Sequence, residues 1–277
     1  MIEPPPEGSR LKWGEVALRA AVFVVFGAMG ALLAGMLPVQ GTLRRSVLFT
    51  FTAGVLANAI PVRIFENARF ADFGLGWTRT AGRELGNGLA CGAGAAAAVI
   101  AAMLLFHWAK FERAAADTAG AAMVSSALLV IGAAGEEMMF HGYAFRILVQ
   151  YVGPFATILP VGVAFGLAHM GNQNSTLLGV FNTVVWGVLL GYACYRSGAL
   201  WMPIGMHFGW NVVLPLAGAN LSGFTMRVTG YALHENAGGV LTGGAYGPEG
   251  SFLTTIAAIV LFWAVGRLPS NQPEEAR

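Results

Sequence analysis

Four clusters of ionisable or polar side chains interrupt otherwise apolar stretches of this chain. They are Glu136-Glu137 with His141 one turn later, then His169, then His207 with Asn211, and finally Arg146. An ionisable group inside an apolar span is costly, so it is a functional candidate by default. Successive residues on a helix point about 100° apart. Glu136 and Glu137 therefore rarely share one partner, and one can face a cavity while a neighbour fixes the other. A carboxylate held in this way is suited to take a proton from water. A histidine from the next element can share that water. His207 and Asn211 are four apart and lie on one helix face, and both can donate hydrogen bonds to an oxyanion. The set reads as a water-activating pair opposite an oxyanion hole, which is hydrolase chemistry for an amide bond.

Each group also has a plainer reading. Glu137 and His141 can form a structural ion pair. His169 can be an interfacial residue at a helix end, and His207 with Asn211 can make an interhelical hydrogen bond. Arg146, near the end of its run, reads as a snorkelling residue. His107 at a span end and His234 in a polar loop rise no higher. GxSxG, HExxH and Walker motifs do not occur.

These groups must be positioned by membrane helices. Apolar runs of about 17–25 residues cross a hydrocarbon core. Eight candidates occur: Ala20–Leu37, Ser46–Val62, Leu85–Phe106, Ala119–Gln150, Phe155–Ala168, Leu177–Cys194, Leu200–Leu216 and Phe252–Leu268. The fourth is too long for one perpendicular crossing and the fifth is short. None alternates with the period of two that barrel strands need. The pairs Gly162/Gly166, Gly187/Gly191 and Gly205/Gly209 have the spacing of close helix contacts. A rise of roughly 1.5 Å per residue puts Glu136 and His169 about 21 Å below the face shared by Gln150 and Phe155. By the same count His207 and Asn211 lie about 12 and 18 Å below it. Three helices thus bring their polar groups to similar depth.

Composition agrees. Of 277 residues, 56% are hydrophobic and 11% charged, against about 25% charged in an ordinary soluble domain. A soluble globule and a disordered chain are both excluded. A net charge of +2 with no basic, aromatic-rich stretch argues against nucleic acid. Cys91 and Cys194 stand far apart in apolar runs, which is neither a disulfide framework nor a zinc spacing. Counting Lys and Arg by side, 11 fall with the termini and 5 on the opposite side. The positive-inside rule then puts both termini in the cytoplasm. Residues 1–14 read as a disordered tail before a retained first span, and 269–277 as a second tail.

The same residues resemble the CAAX-processing and bacteriocin-processing (CPBP, or Abi) family of intramembrane proteases. Its hallmarks are EExxxR, FxxxH and HxxxN/D, in that order. Here they read Glu136-Glu137-Met138-Met139-Phe140-His141, Phe165 to His169, and His207 to Asn211. Residues 197–203, leading into His207, are also similar, and the likeness covers about 125–215. The resemblance implies a glutamate-dependent endopeptidase. Glu136 with His169 would activate water, His207 with Asn211 would hold the oxyanion, and Glu137 would support them. One departure is plain: His141 stands where the family has arginine, so a permanent cation is replaced by a titratable group.

The expectation is therefore an all-α protein, a polytopic transmembrane helix bundle of about eight spans. It forms one domain over 15–268, with its motif core at about 119–216. The site is expected to open towards the cytoplasm and to cleave a peptide or protein, membrane-associated or lipidated, at a bacterial inner membrane. No cofactor is expected. Two rivals stay open: a zinc peptidase with Glu136, His169 and His207 as ligands, and a non-catalytic immunity or scaffold protein using the same cavity.

Overall fold

The computed structural model describes residues 12–115 and 120–270. Most of the expected tail residues lie outside that range. The chain is an all-α membrane bundle. Its helices are α1 (Trp13–Gly35), α2 (Thr42–Phe65), α3 (Ala81–Leu105), α4 (Ala121–His141), α5 (Tyr143–Val152), α6 (Pro154–Ala168), α7 (Leu177–Ser197), α8 (Trp201–Leu216), the short α9 (Gly239–Thr242) and α10 (Phe252–Arg267). Among the described residues five segments are long and apolar enough to cross a membrane: α1, α2, α3, α7 and the stretch Ala121–Val152 that α4 and α5 share. Helices α6, α8 and α10 have 15, 16 and 16 residues. They are shorter than a perpendicular crossing requires.

The overlong fourth run is two helices. Gly142 leaves helical geometry at φ −80° and ψ −137° and separates α4 from α5. Asn58 on α2 repairs the break. Its amide donates to the Gly54 and Met138 carbonyls at 2.6 and 2.8 Å, and its oxygen accepts the Tyr143 N–H at 2.6 Å. A Cβ at position 142 would collide with Asn58 and with the Met138 carbonyl, so only glycine fits there.

Glycines also set the spacing of the helices that carry the site. Gly88 and Gly92 on α3 lie against the backbone of Met202 and Met206 on α8, while Gly205 and Gly209 lie against Leu85 and Leu89. The rising order on both sides shows that α3 and α8 run parallel. A Cβ at Gly92 would strike the Met206 carbonyl. Gly162 and Gly166 on α6 meet Val188 and Val184 on α7, an antiparallel pair. Small residues allow such close approach where lipid supplies no hydrophobic drive. The α3 glycines belong to the same contact as the Gly205/Gly209 pair, although the sequence reading did not single them out.

The bundle has two distinct ends. At the proximal end the start of α1 meets the end of α5, with Trp13 and Tyr151 ring centroids 4.4 Å apart. There Arg196 of α7 also donates to the carbonyl of Leu268 after α10. At the distal end a long connection, 217–251, joins α8 to α10. It carries β2 (Tyr231–Glu235), which pairs antiparallel with β1 (Ala109–Arg113) after α3.

Candidate active site

The expected residues converge. Glu136 and Glu137 sit near the C-terminal end of α4, His169 caps the C-terminus of α6, and His207 and Asn211 lie along α8. Glu137 is fully buried. One of its oxygens pairs with His141 Nδ1 at 2.7 Å and the other with His207 Nδ1 at 2.8 Å. Glu136 is half-buried and faces a cavity. Its Oε2 lies 3.5 Å from His169 Nε2 and 3.8 Å from His207 Nε2. So the carboxylates divide as the helix angle requires, one to the cavity and one to the packed interior. His207 nevertheless touches both, one ring nitrogen for each.

Backbone contacts fix the ring orientations. His169 Nδ1 donates to the Phe165 carbonyl at 2.8 Å. This leaves Nε2 to face Glu136, and a hydrogen bond at the far nitrogen is the usual way a working histidine is oriented. Phe165 packs its ring on His169 at 4.8 Å and edge-on to His207 at 5.9 Å. The FxxxH spacing thus supplies both the carbonyl that holds His169 and the ring that separates the two histidines. His141, where an arginine was expected, contacts Glu137 directly. Its Nε2 is buried with no hydrogen-bond partner.

A cavity of about 210 Å³ lies in front of Glu136, His169, His207 and Asn211. Phe140, Trp186 and Trp210 form part of an apolar wall, and Leu43, Val47 and Thr50 from the first turns of α2 form another side. Ser222, Phe224 and Glu249 of the distal connection complete it. No lining residue comes from the proximal turns. The cavity therefore runs towards the distal end, opposite the termini, and this corrects the expected opening. If the termini are cytoplasmic, the site does not face the cytoplasm. The depth count itself agrees with this, since about 21 Å below the proximal face is already past the middle of a ~30 Å core; only the inference that the site opens to the nearer-counted face fails.

Arg146 is likewise not a snorkelling residue. It is buried, and its guanidinium donates to the Gly198 carbonyl at 3.1 Å, tying α5 to the turn between α7 and α8. Among the described residues no group of three or more His, Cys, Asp or Glu side chains has the arrangement of a metal site. Several polar cavity residues escaped the sequence reading, among them Glu249, Ser222 and Asn182. Glu249 lies in a glycine-rich connection without periodicity, and only the folding of that connection over α7 brings it to the site.

Comparison with known families bears out the resemblance. Residues 118–213 match the family model described as Rce1-like, Type II CAAX prenyl endopeptidase Rce1-like. That segment holds Glu136, Glu137, His141, His169, His207 and Asn211. Neither the curated proteins nor the solved structures give a significant match.

Proposed function

We propose that this membrane protein is an endopeptidase that hydrolyses a peptide bond of a membrane-associated polypeptide inside the distal cavity. The observation that carries the reading is the Glu136 carboxylate facing His169 Nε2 at 3.5 Å on the cavity wall. A water between them would lose its proton to Glu136 as its oxygen attacks the substrate carbonyl. The carbonyl oxygen then becomes an oxyanion, received by donors from His207 Nε2 and the Asn211 amide. The proton on Glu136 passes to the leaving nitrogen as the C–N bond breaks. Positioned proton transfer of this kind is worth about 10²–10⁴ in rate.

One condition follows from the hydrogen bonds. If Glu137 is ionised, His207 Nδ1 must carry the proton of their contact, and a neutral ring then has a bare Nε2. Oxyanion donation by His207 therefore needs one further proton shared by His207 and Glu137. The doubly held Glu137 is built to stabilise it, because a carboxylate favours imidazolium. The reading includes a bacterial inner membrane and cytoplasmic termini, which put the cavity mouth on the outer side. It uses no metal.

The test is Glu136→Gln in purified protein. Cleavage of a quenched peptide library in detergent should drop by at least about 10², with unchanged thermal melting. A variant that melts normally and cleaves at the wild-type rate would sink the reading.

A further inference from the structure

Glu249 is the second carboxylate of the cavity wall. It lies outside the matched segment 118–213 and has no part in the water-activating machinery. Its place is tightly set. The Ser222 backbone N–H and hydroxyl both donate to its carboxylate. Its own carbonyl accepts the Asn182 amide at 2.8 Å, and the same amide donates to the Ser251 carbonyl at 2.8 Å. Asn182 is buried on α7 and accepts from Thr255 on α10 at 2.6 Å. Ser222 and Gly223 both have positive φ, in a tight turn closed by the Leu221–Phe224 bridge. Glu249 is thus clamped from both sides and cannot swing away from the cavity.

Capping that turn does not exhaust the carboxylate. It has about four acceptor positions, and the two Ser222 donors occupy two. No described ion pair involves Glu249, and no Lys or Arg lines the cavity. The charged and titratable groups facing it are Glu136 from α4, His169 from α6 and His207 from α8, with the Tyr246 hydroxyl beside it. A fixed carboxylate with spare acceptors on a largely apolar cavity wall favours a positively charged donor. It also repels a second carboxylate.

We propose that Glu249 is a specificity-determining residue that receives a cationic amine or guanidinium of the substrate near the scissile bond. The inference rests on the peptidase reading, and it adds that the preferred substrate is basic, not acidic, at that position. The cation comes either from a Lys or Arg side chain or from a free α-amino group.

Binding and cleavage test it separately. One peptide backbone, fluorescently labelled, is made with Lys, norleucine or Glu at each position in turn, with its N-terminus free or acetylated. Anisotropy on detergent-solubilised Glu136→Gln protein should show at least about tenfold tighter binding for one Lys position or for the free amine. Acetylation tells which source acts. In Glu136→Gln/Glu249→Gln the preference should fall to near unity, and Glu249→Lys should turn it towards the Glu peptide. Equal binding of Lys, norleucine and Glu peptides by the single variant overturns the proposal without need of a Glu249 variant. Burial raises the Glu249 carboxyl above the usual range. The Lys preference should therefore fade as pH drops through that raised value, because only the ionised form attracts a cation. Cleavage by the wild-type protein tests the peptidase reading alone. Charge-selective binding without cleavage would leave Glu249 a recognition residue and remove the peptidase.

Discussion

The two ends of the bundle put their polar groups to different uses. At the proximal end the polar groups tie helices together, although Arg146 Nε and Arg196 Nε are buried without a hydrogen-bond partner. Arg19 pairs with Glu66, and the Tyr143 hydroxyl joins both. Asn58 spends both halves of its amide on the helix break, and Arg146 is tied to the Gly198 turn. At the distal cavity the polar atoms keep capacity in reserve. Glu136 Oε2 has no hydrogen-bond partner, and Glu249 has free acceptor positions beyond Ser222. A buried polar group without a partner costs about 1–3 kcal/mol. Proteins keep that cost where a ligand will offset it. The proximal contacts tie α1, α2, α5 and the turn before α8 together, and on the proposed reading the free acceptors of the cavity are those a substrate would meet.

Substitutions at the two ends should separate along the same line. The largest effect is the loss of cleavage in Glu136→Gln. Next comes Asn211→Ala, which removes one preorganised donor. It should lower kcat by about 10²–10³ and leave KM within a few fold, because the donor matters most when the oxyanion exists. Steady-state kinetics on a cleaved library peptide would show it. A raised KM at normal kcat would mean that Asn211 only positions substrate.

The cavity half of this contrast was legible in the sequence. Glutamates and histidines in apolar runs stand out because each costs energy there, and helical rise brought Glu136 and His169 to equal depth. Spacing alone could not show which end the cavity would face. That depended on the first turns of α2 and on the 217–251 connection, which supply the cavity's distal walls. Arg146 was misread for a related reason. Near the end of a run snorkelling is the ordinary outcome, but α5 folds inward and buries it. Asn58 gave no signal because one asparagine in an apolar helix looks like any other, and its partners lie 80 and 85 residues away. Glu249 was hidden because loop residues reach a site through tertiary closure, which no period encodes.

Asn58→Ala tests the proximal end. It strips partners from the Met138 carbonyl and the Tyr143 N–H, each buried at the helix break. The cost should be about 1–3 kcal/mol for each group left unpaired, seen as a lower melting temperature. Activity per folded molecule at low temperature should change little. A variant of normal stability with reduced turnover would instead join Asn58 to the site and blur the division between the ends.

The smallest effect should come from His141, which sits between the two regimes. It touches the site only through Glu137, at 2.7 Å from Nδ1. The sequence suggested a stand-in for the arginine of EExxxR, charged and therefore titratable. Its Nε2 edge is buried with no hydrogen-bond partner. The substitution to arginine is also cramped, because Gly191 lies close to that edge of the ring: a Cβ there would stand 3.3 Å from Nε2. An asparagine keeps a donor near the Nδ1 position and does not titrate. His141→Asn should therefore retain activity within about tenfold, a loss of no more than ~1.4 kcal/mol in transition-state stabilisation, and keep the shape of the pH–rate profile. His141→Ala should lose stability instead, because one Glu137 oxygen is left buried without its donor. The decisive measurement is the alkaline limb. If it shifts in His141→Asn, the imidazole does carry charge in the working enzyme. Glu137 would then be held by a cation after all, as the family's arginine implies.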